Sequence, residues 1–136
     1  MKMIMLYGDT NTGKTTTLND VFDKITKGME PLPAKILLNA WLDFEVIFPY
    51  KGKMVAIYSA GDTLRDIKEA IRKYATQCDV LILAYSDKFK RDYKPDLFNL
   101  AWQLVEDVQR CVIYKTAAND ADNAATCKNI IALIKA

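Results

Sequence analysis

A chain of 136 residues is short enough for one domain and long enough to bury roughly two-thirds of its unfolded surface. It is 51% apolar and 26% charged, an ordinary composition for a soluble globular domain, and a net charge of +2 is too small to imply a nucleic-acid partner. It contains no histidine, which excludes Ser-His-Asp and Cys-His catalysis and every His-ligated metal site.

Residues 2–7 form an apolar run that stops at Gly8, a buried strand by its length. That run is too short for a signal peptide, and no apolar run approaches the roughly 20 residues of a membrane span, so a cytoplasmic chain is expected. Residues 14–27 place Leu18, Val21, Phe22 and Ile25 on one helical face, with Lys24 and Lys27 near the negative end of the helix dipole. Gly28 and Pro31 stop this helix, and Pro31, Leu32 and Pro33 make an extended connection. Residues 44–48 and 53–58 predict two strands, with Pro49, Tyr50, Lys51 and Gly52 as the turn. A helix over 63–75 turns Leu64, Ile67, Ile71 and Tyr74 inward, and the continuous apolar run 80–84 predicts a strand covered on both faces. Pro95 opens a further helix whose stripe runs from Leu97 to Val108. Residues 111–114 are a fourth buried run, and Asn119 or Asp120 caps a last helix carrying Ile130, Ile131 and Ile134. Cys78, Cys111 and Cys127 are odd in number and far apart, without metal-ligand spacing, as suits reduced thiols.

Short apolar strands alternating with amphipathic helices predict an α/β domain over residues 1–136, a three-layer sandwich whose mostly parallel sheet is covered on both faces. Ligands of such sheets bind at the carboxyl ends of the strands, near a switch in strand order. The segments after Tyr7, Tyr58, Ala84 and Tyr114 are therefore expected on one face.

The first of these segments carries the chemistry. It reads Gly8, Asp9, Thr10, Asn11, Thr12, Gly13, Lys14 and Thr15, with Thr16 following. The glycines permit a tight path whose N–H groups can point at phosphate oxygens, and the helix adds its positive end. Lys14 would reach the β- and γ-phosphates, and the Thr15 hydroxyl would ligate Mg²⁺. The bland alternative is a glycine turn with an exposed lysine.

On these residues, placed between a buried strand and an amphipathic helix, the chain resembles the P-loop NTPase superfamily. The resemblance implies a nucleoside triphosphate with Mg²⁺ and a sheet of about five strands. In the kinase and GTPase branch it also implies that the Walker B strand lies beside the phosphate-loop strand. Residues 43–62 are similar to the small GTPases in having a hairpin, a glycine-containing loop and then a helix.

The chain also departs from that pattern. Residues 54–58 supply a Walker B strand, but Ser59 stands where an acid is expected, and the first carboxylate is Asp62. Asp62 would serve the metal or its water; the competing reading makes Asp62, or Thr63 with Asp66, the cap of the next helix. Asp87 is a second candidate acid. No Asn-Lys-x-Asp guanine-reading motif follows Ala84 or Tyr114, which favours ATP over GTP, with adenine read near residues 115–119. Lys88, Lys90, Arg91 and Lys94 are interleaved with Phe89 and Tyr93 where small kinases carry a lid, and Arg91 or Arg65 could neutralise a transferring phosphoryl group; the competing reading is a solvated loop. Four charges make too small a footprint for nucleic acid.

The expected function is an ATP-binding protein that hydrolyses the γ-phosphate or transfers it to a modest acceptor, with Lys14, Asp62 and Arg91 as the catalytic groups. The alternative is a nucleotide-binding switch or interaction module with little turnover.

Overall fold

Side chains from Met3 to Tyr7 alternate across the sheet, and that alternation sets the two layers of the core. The structure, a computed structural model, describes residues 1–8, 12–39, 42–61, 63–86 and 93–136, with 93–96 as backbone only. Strand β1 (Lys2–Gly8) lies between β5 (Val80–Ser86) and β6 (Gln109–Lys115) and is parallel to both. Beyond β5 come β4 (Lys53–Tyr58), parallel to it, then β3 (Phe44–Tyr50) and the short β2 (Ile36–Leu37), each antiparallel to its neighbour. The sheet is therefore six-stranded and mixed, in the order β2-β3-β4-β5-β1-β6. β2 was not expected: its two residues are exposed and too few to show a period.

Ile4 and Leu6 face a layer made by α1 (Lys14–Thr26) and α4 (Asp120–Lys135), where Leu18, Val21, Cys127 and Ile130 are buried. Met3, Met5 and Tyr7 face α2 (Leu64–Tyr74) and α3 (Tyr93–Leu104), against Ile67, Ile71, Leu97 and Ala101. Each fully buried Leu, Ile or Met contributes roughly 1.5–3 kcal/mol over exposure, so both layers are held by apolar burial rather than by polar contacts.

The hairpin is tighter than the sequence suggests. Tyr50 pairs with Lys53, leaving only Lys51 and Gly52 as the loop, with φ of 48° and 78°. Two positive φ values match the right-handed twist of the paired strands, so the strand runs through Pro49 to Tyr50. α3 starts at Tyr93, with Pro95 tolerated in its first turn, and ends at Leu104; Val108 is buried in the connection to β6. β6 is a sheet edge rather than a buried strand, with Val112 46% and Tyr114 54% exposed. At the far end of α4, Lys2 and Lys53 donate to the carbonyls of Leu133, Ile134 and Ala136, groups that a helix end leaves unsatisfied. No helix among the described residues is long and apolar enough to cross a membrane.

The strand order corrects one expectation. β5 lies between β1 and β4, so the strand carrying residues 54–58 is not beside the one ending at Gly8.

Candidate functional site

The parallel strands end together. Gly8 is level with Ser86 on one side and Lys115 on the other, and Ser59 follows β4 at the same edge. This is the shared face expected for the segments after Tyr7, Tyr58, Ala84 and Tyr114. The antiparallel β3 begins here too, because a reversed strand enters the sheet where its neighbours leave it.

Both glycines of this loop are held to glycine by close approach. A Cβ on Gly8 would lie 2.4 Å from the Lys115 carbonyl oxygen and 2.9 Å from Thr12 Oγ1. One on Gly13 would lie 2.6 Å from Asn123 Oδ1, and Gly13 has a φ of 78°, which side chains disfavour. Gly13 is also the N-cap of α1 and has no side chain with which to cap it, and the first turn of the helix carries no acidic residue. Lys14 is half-buried, and its Nζ donates to the Gly8 carbonyl at 2.8 Å, holding its charge over the end of β1. Thr12 is buried, while Thr16 is exposed on the first turn. Asn123 of α4, itself buried, accepts from Thr17 Oγ1 at 3.4 Å and so packs α4 against the start of α1. Of the sequence-predicted residues, Asp9, Thr10, Asn11, Asp62 and Arg91, together with Asp87, Lys88, Phe89 and Lys90, lie outside the described residues.

Thr15 leads to a residue that sequence reasoning missed. Its hydroxyl donates to Asp43 Oδ1 at 2.7 Å. Asp43 is only 5% exposed and also accepts from Ser59 Oγ at 3.1 Å and Asn39 Nδ2 at 2.9 Å. Ser59 Oγ in turn accepts the Phe44 amide at 2.9 Å, and the Ser59 amide donates to the Phe44 carbonyl at 3.0 Å. The signal in the sequence was slight: a carboxylate directly before an apolar strand, preceded by Leu42, whose φ of 68° no side-chain pattern announces.

The remaining candidates have structural partners. Thr63 caps α2, accepting the Asp66 amide at 3.2 Å on Oγ1. Arg65 makes an exposed pair with Glu69. Lys115 is fully buried, donating to Asp122 and to the Ala117 carbonyl, and Asn119 caps α4 through the Asp122 amide. The side chains of Lys115 and Asn119 are thus committed to the start of α4 rather than turned toward a base, which leaves the exposed Thr116 side chain and the backbone of 116–118 as what that segment can offer. Beside Ser59, burial pushes the Tyr58 phenol up to about 12, helped by Asp66, Glu45, Glu69 and Asp43. Glu45 accepts Lys73 Nζ at 2.7 Å, which raises the lysine's pKa.

Among the described residues no group of three or more His, Cys, Asp or Glu gathers to hold a metal. Thr15 and Asp43 instead bring two oxygen-bearing side chains to the start of α1, a set suited to a hard cation that draws its other ligands from phosphate and water. Comparison with protein-family models, with curated proteins and with solved structures found no match.

Proposed function

We propose that this chain is a P-loop protein that binds a nucleoside triphosphate with Mg²⁺ at residues 8–16, taking ATP in preference to GTP, and hydrolyses or transfers the γ-phosphate. The observation that carries this reading is the start of α1. It follows β1, which lies between two parallel neighbours, at the carboxyl edge of the sheet, has glycine as its cap and no acid in its first turn, and presents Lys14 and Thr15. The N–H groups of a helix start without an acid, together with a lysine, attract phosphate, and the crowding at Gly8 and Gly13 accounts for glycine at both positions.

In this reading Lys14 offsets phosphate charge and Thr15 presents its hydroxyl to the cation. Asp62 orients the attacking group, and Arg91 neutralises charge on the transferring phosphoryl. Thr15 would help hold Mg²⁺, which when bound would neutralise phosphate charge. The absence of histidine is no obstacle, because phosphoryl transfer asks mainly for position and charge stabilisation. A switch with little turnover is the second reading, favoured by Ser59, which gives the end of β4 a hydroxyl and no carboxylate.

Calorimetric titration with Mg-ATP tests the proposal. The wild type should bind, and Lys14→Ala should lose at least about tenfold in affinity with its melting temperature nearly unchanged, since a charge-assisted phosphate contact is lost without loss of core. Equal affinity in a folded Lys14→Ala variant would remove the claim. Competition of ATP and GTP against a labelled analogue should favour ATP; a large GTP preference would reveal an unrecognised guanine site.

A further inference from the structure

We propose that Asp43, at the entry to β3, is the carboxylate that holds the hydrated Mg²⁺ in this chain, with Ser59 at the end of β4 as its support. The proposal rests on the nucleotide-binding reading above and deepens it.

Three features lead there. Asp43 is buried among polar partners at the ligand-binding edge of the sheet, and burying a carboxylate carries a desolvation cost. The residue just before it, Leu42, is exposed in a left-handed conformation, so the backbone carries local strain where it delivers Asp43 toward α1.

The second feature explains Ser59. A carboxylate there would lie within hydrogen-bonding distance of Asp43, and two like charges so close cannot both ionise readily. Serine does the reverse: its Oγ accepts the Phe44 amide and donates to Asp43, fixing the carboxylate at the end of β4. The negative charge sits at the entry to β3, one strand across from Ser59, and the serine is its support.

The third is the hydrogen-bond arithmetic. The single hydroxyl proton of Thr15 is committed to Asp43, so its lone pairs are left for a cation. Asp43 accepts from Thr15, Ser59 and Asn39, three of the roughly four bonds a carboxylate can take. The remaining lone pair suits a metal-bound water, since Mg²⁺ keeps several waters and uses one or two carboxylates besides phosphate.

The test is the effect of Mg²⁺ on affinity for a non-hydrolysable ATP analogue, measured by calorimetry in EDTA and in Mg²⁺, with Mn²⁺ electron paramagnetic resonance as a direct readout of the ion. In the wild type Mg²⁺ should tighten binding. Asp43→Asn should lose about 10- to 100-fold of metal affinity, the usual cost of removing an outer-shell partner, while affinity in EDTA is kept. Wild-type tightening in a folded Asp43→Asn variant overturns the proposal and leaves nucleotide binding standing. Loss of tightening in Asp62→Asn but not in Asp43→Asn also overturns it, and moves the ion to Asp62. A wild type that binds no analogue even in EDTA removes both proposals. Should Asp43→Asn fail to fold, the exchange Asp43→Ser with Ser59→Asp carries the test. It returns the acid to the end of β4 and should tighten with Mg²⁺; a folded exchange variant that does not tighten is decisive against it.

Discussion

Thr63 separates two roles that the sequence left merged at the start of α2. Its Oγ1 accepts the Asp66 amide, so Thr63 takes the capping task. Thr63→Ala should therefore cost about 1 kcal/mol of stability in urea unfolding, and Asp62→Ala markedly less. Asp62→Asn should keep the melting temperature and lose most of whatever ATP turnover the wild type has. Wild-type turnover in that variant would take Asp62 out of the chemistry. Gly13 and Gly52 offer a similar contrast. Both have φ of 78°, but nothing lies within 4 Å of a Cβ at Gly52, while Asn123 blocks one at Gly13. Gly52→Ala should cost about 1–2 kcal/mol, the ordinary penalty for a left-handed side chain, and leave nucleotide affinity alone. Gly13→Ala should cost more and weaken Mg-ATP binding, because Asn123 or the loop must move. Equal behaviour of the two variants in unfolding and titration would show that the contact with Asn123 is unimportant.

Among elements, the junction of β6 with α4 depends on a buried charge. The Lys115 side chain is fully buried, while that of Asp122 is 35% exposed. Removing one partner of a buried pair leaves the other uncompensated, though water can reach Asp122 and moderates the loss. Lys115→Met should destabilise by about 1–3 kcal/mol in urea unfolding. A neutral outcome would mean that methionine packing offsets the lost pair. Because Asn123 of the same helix touches Gly13, loosening the start of α4 should also weaken nucleotide binding modestly. The β3–β4 hairpin shows the same economy of parts: a two-residue turn with both φ positive sets the register that brings Phe44 level with Ser59, and with it Asp43 toward α1.

Over the whole molecule, burial of titratable groups makes stability depend on pH on the alkaline side. Burial, with a contribution from Asp79, pushes the Cys78 thiol from 9.0 up to about 12, and the Tyr58 phenol rises from 10.0 to about 12. Both groups keep in the fold a proton that the unfolded chain releases at lower pH. Their contribution is present below the unfolded values and is lost as pH rises from about 9 toward 12. The urea midpoint should fall across that window, and Cys78→Ala should flatten the fall in its lower part, before Tyr58 begins to titrate. An unchanged slope in Cys78→Ala would mean that the thiol keeps its ordinary value. The same burial should make Cys78 unreactive toward iodoacetamide until the protein unfolds.

How much of this was legible beforehand follows from the range over which each feature is encoded. The helical stripe at Leu18, Val21, Phe22 and Ile25, the apolar strands and the spacing of Gly8, Gly13, Lys14 and Thr15 are local patterns, and local patterns decide element type and the phosphate-loop resemblance. The alternation of strand and helix was enough for an α/β domain whose parallel strands end at one edge. Strand order was not legible, because whether β5 or β4 lies beside β1 depends on which faces pack and no residue pattern marks it. The exposure of β6 was hidden for the same reason, since an apolar run looks alike at an edge and in the middle of a sheet. Asp43 was the largest omission. It lies 28 residues from Thr15 and 16 from Ser59, and only the antiparallel entry of β3 at the carboxyl edge makes the three meet. By itself the sequence determined the elements and the glycine-lysine loop that resembles a phosphate loop; the tertiary structure alone decided which carboxylate stands beside Thr15, because a buried charge is placed by contacts between strands and not by its neighbours in the chain.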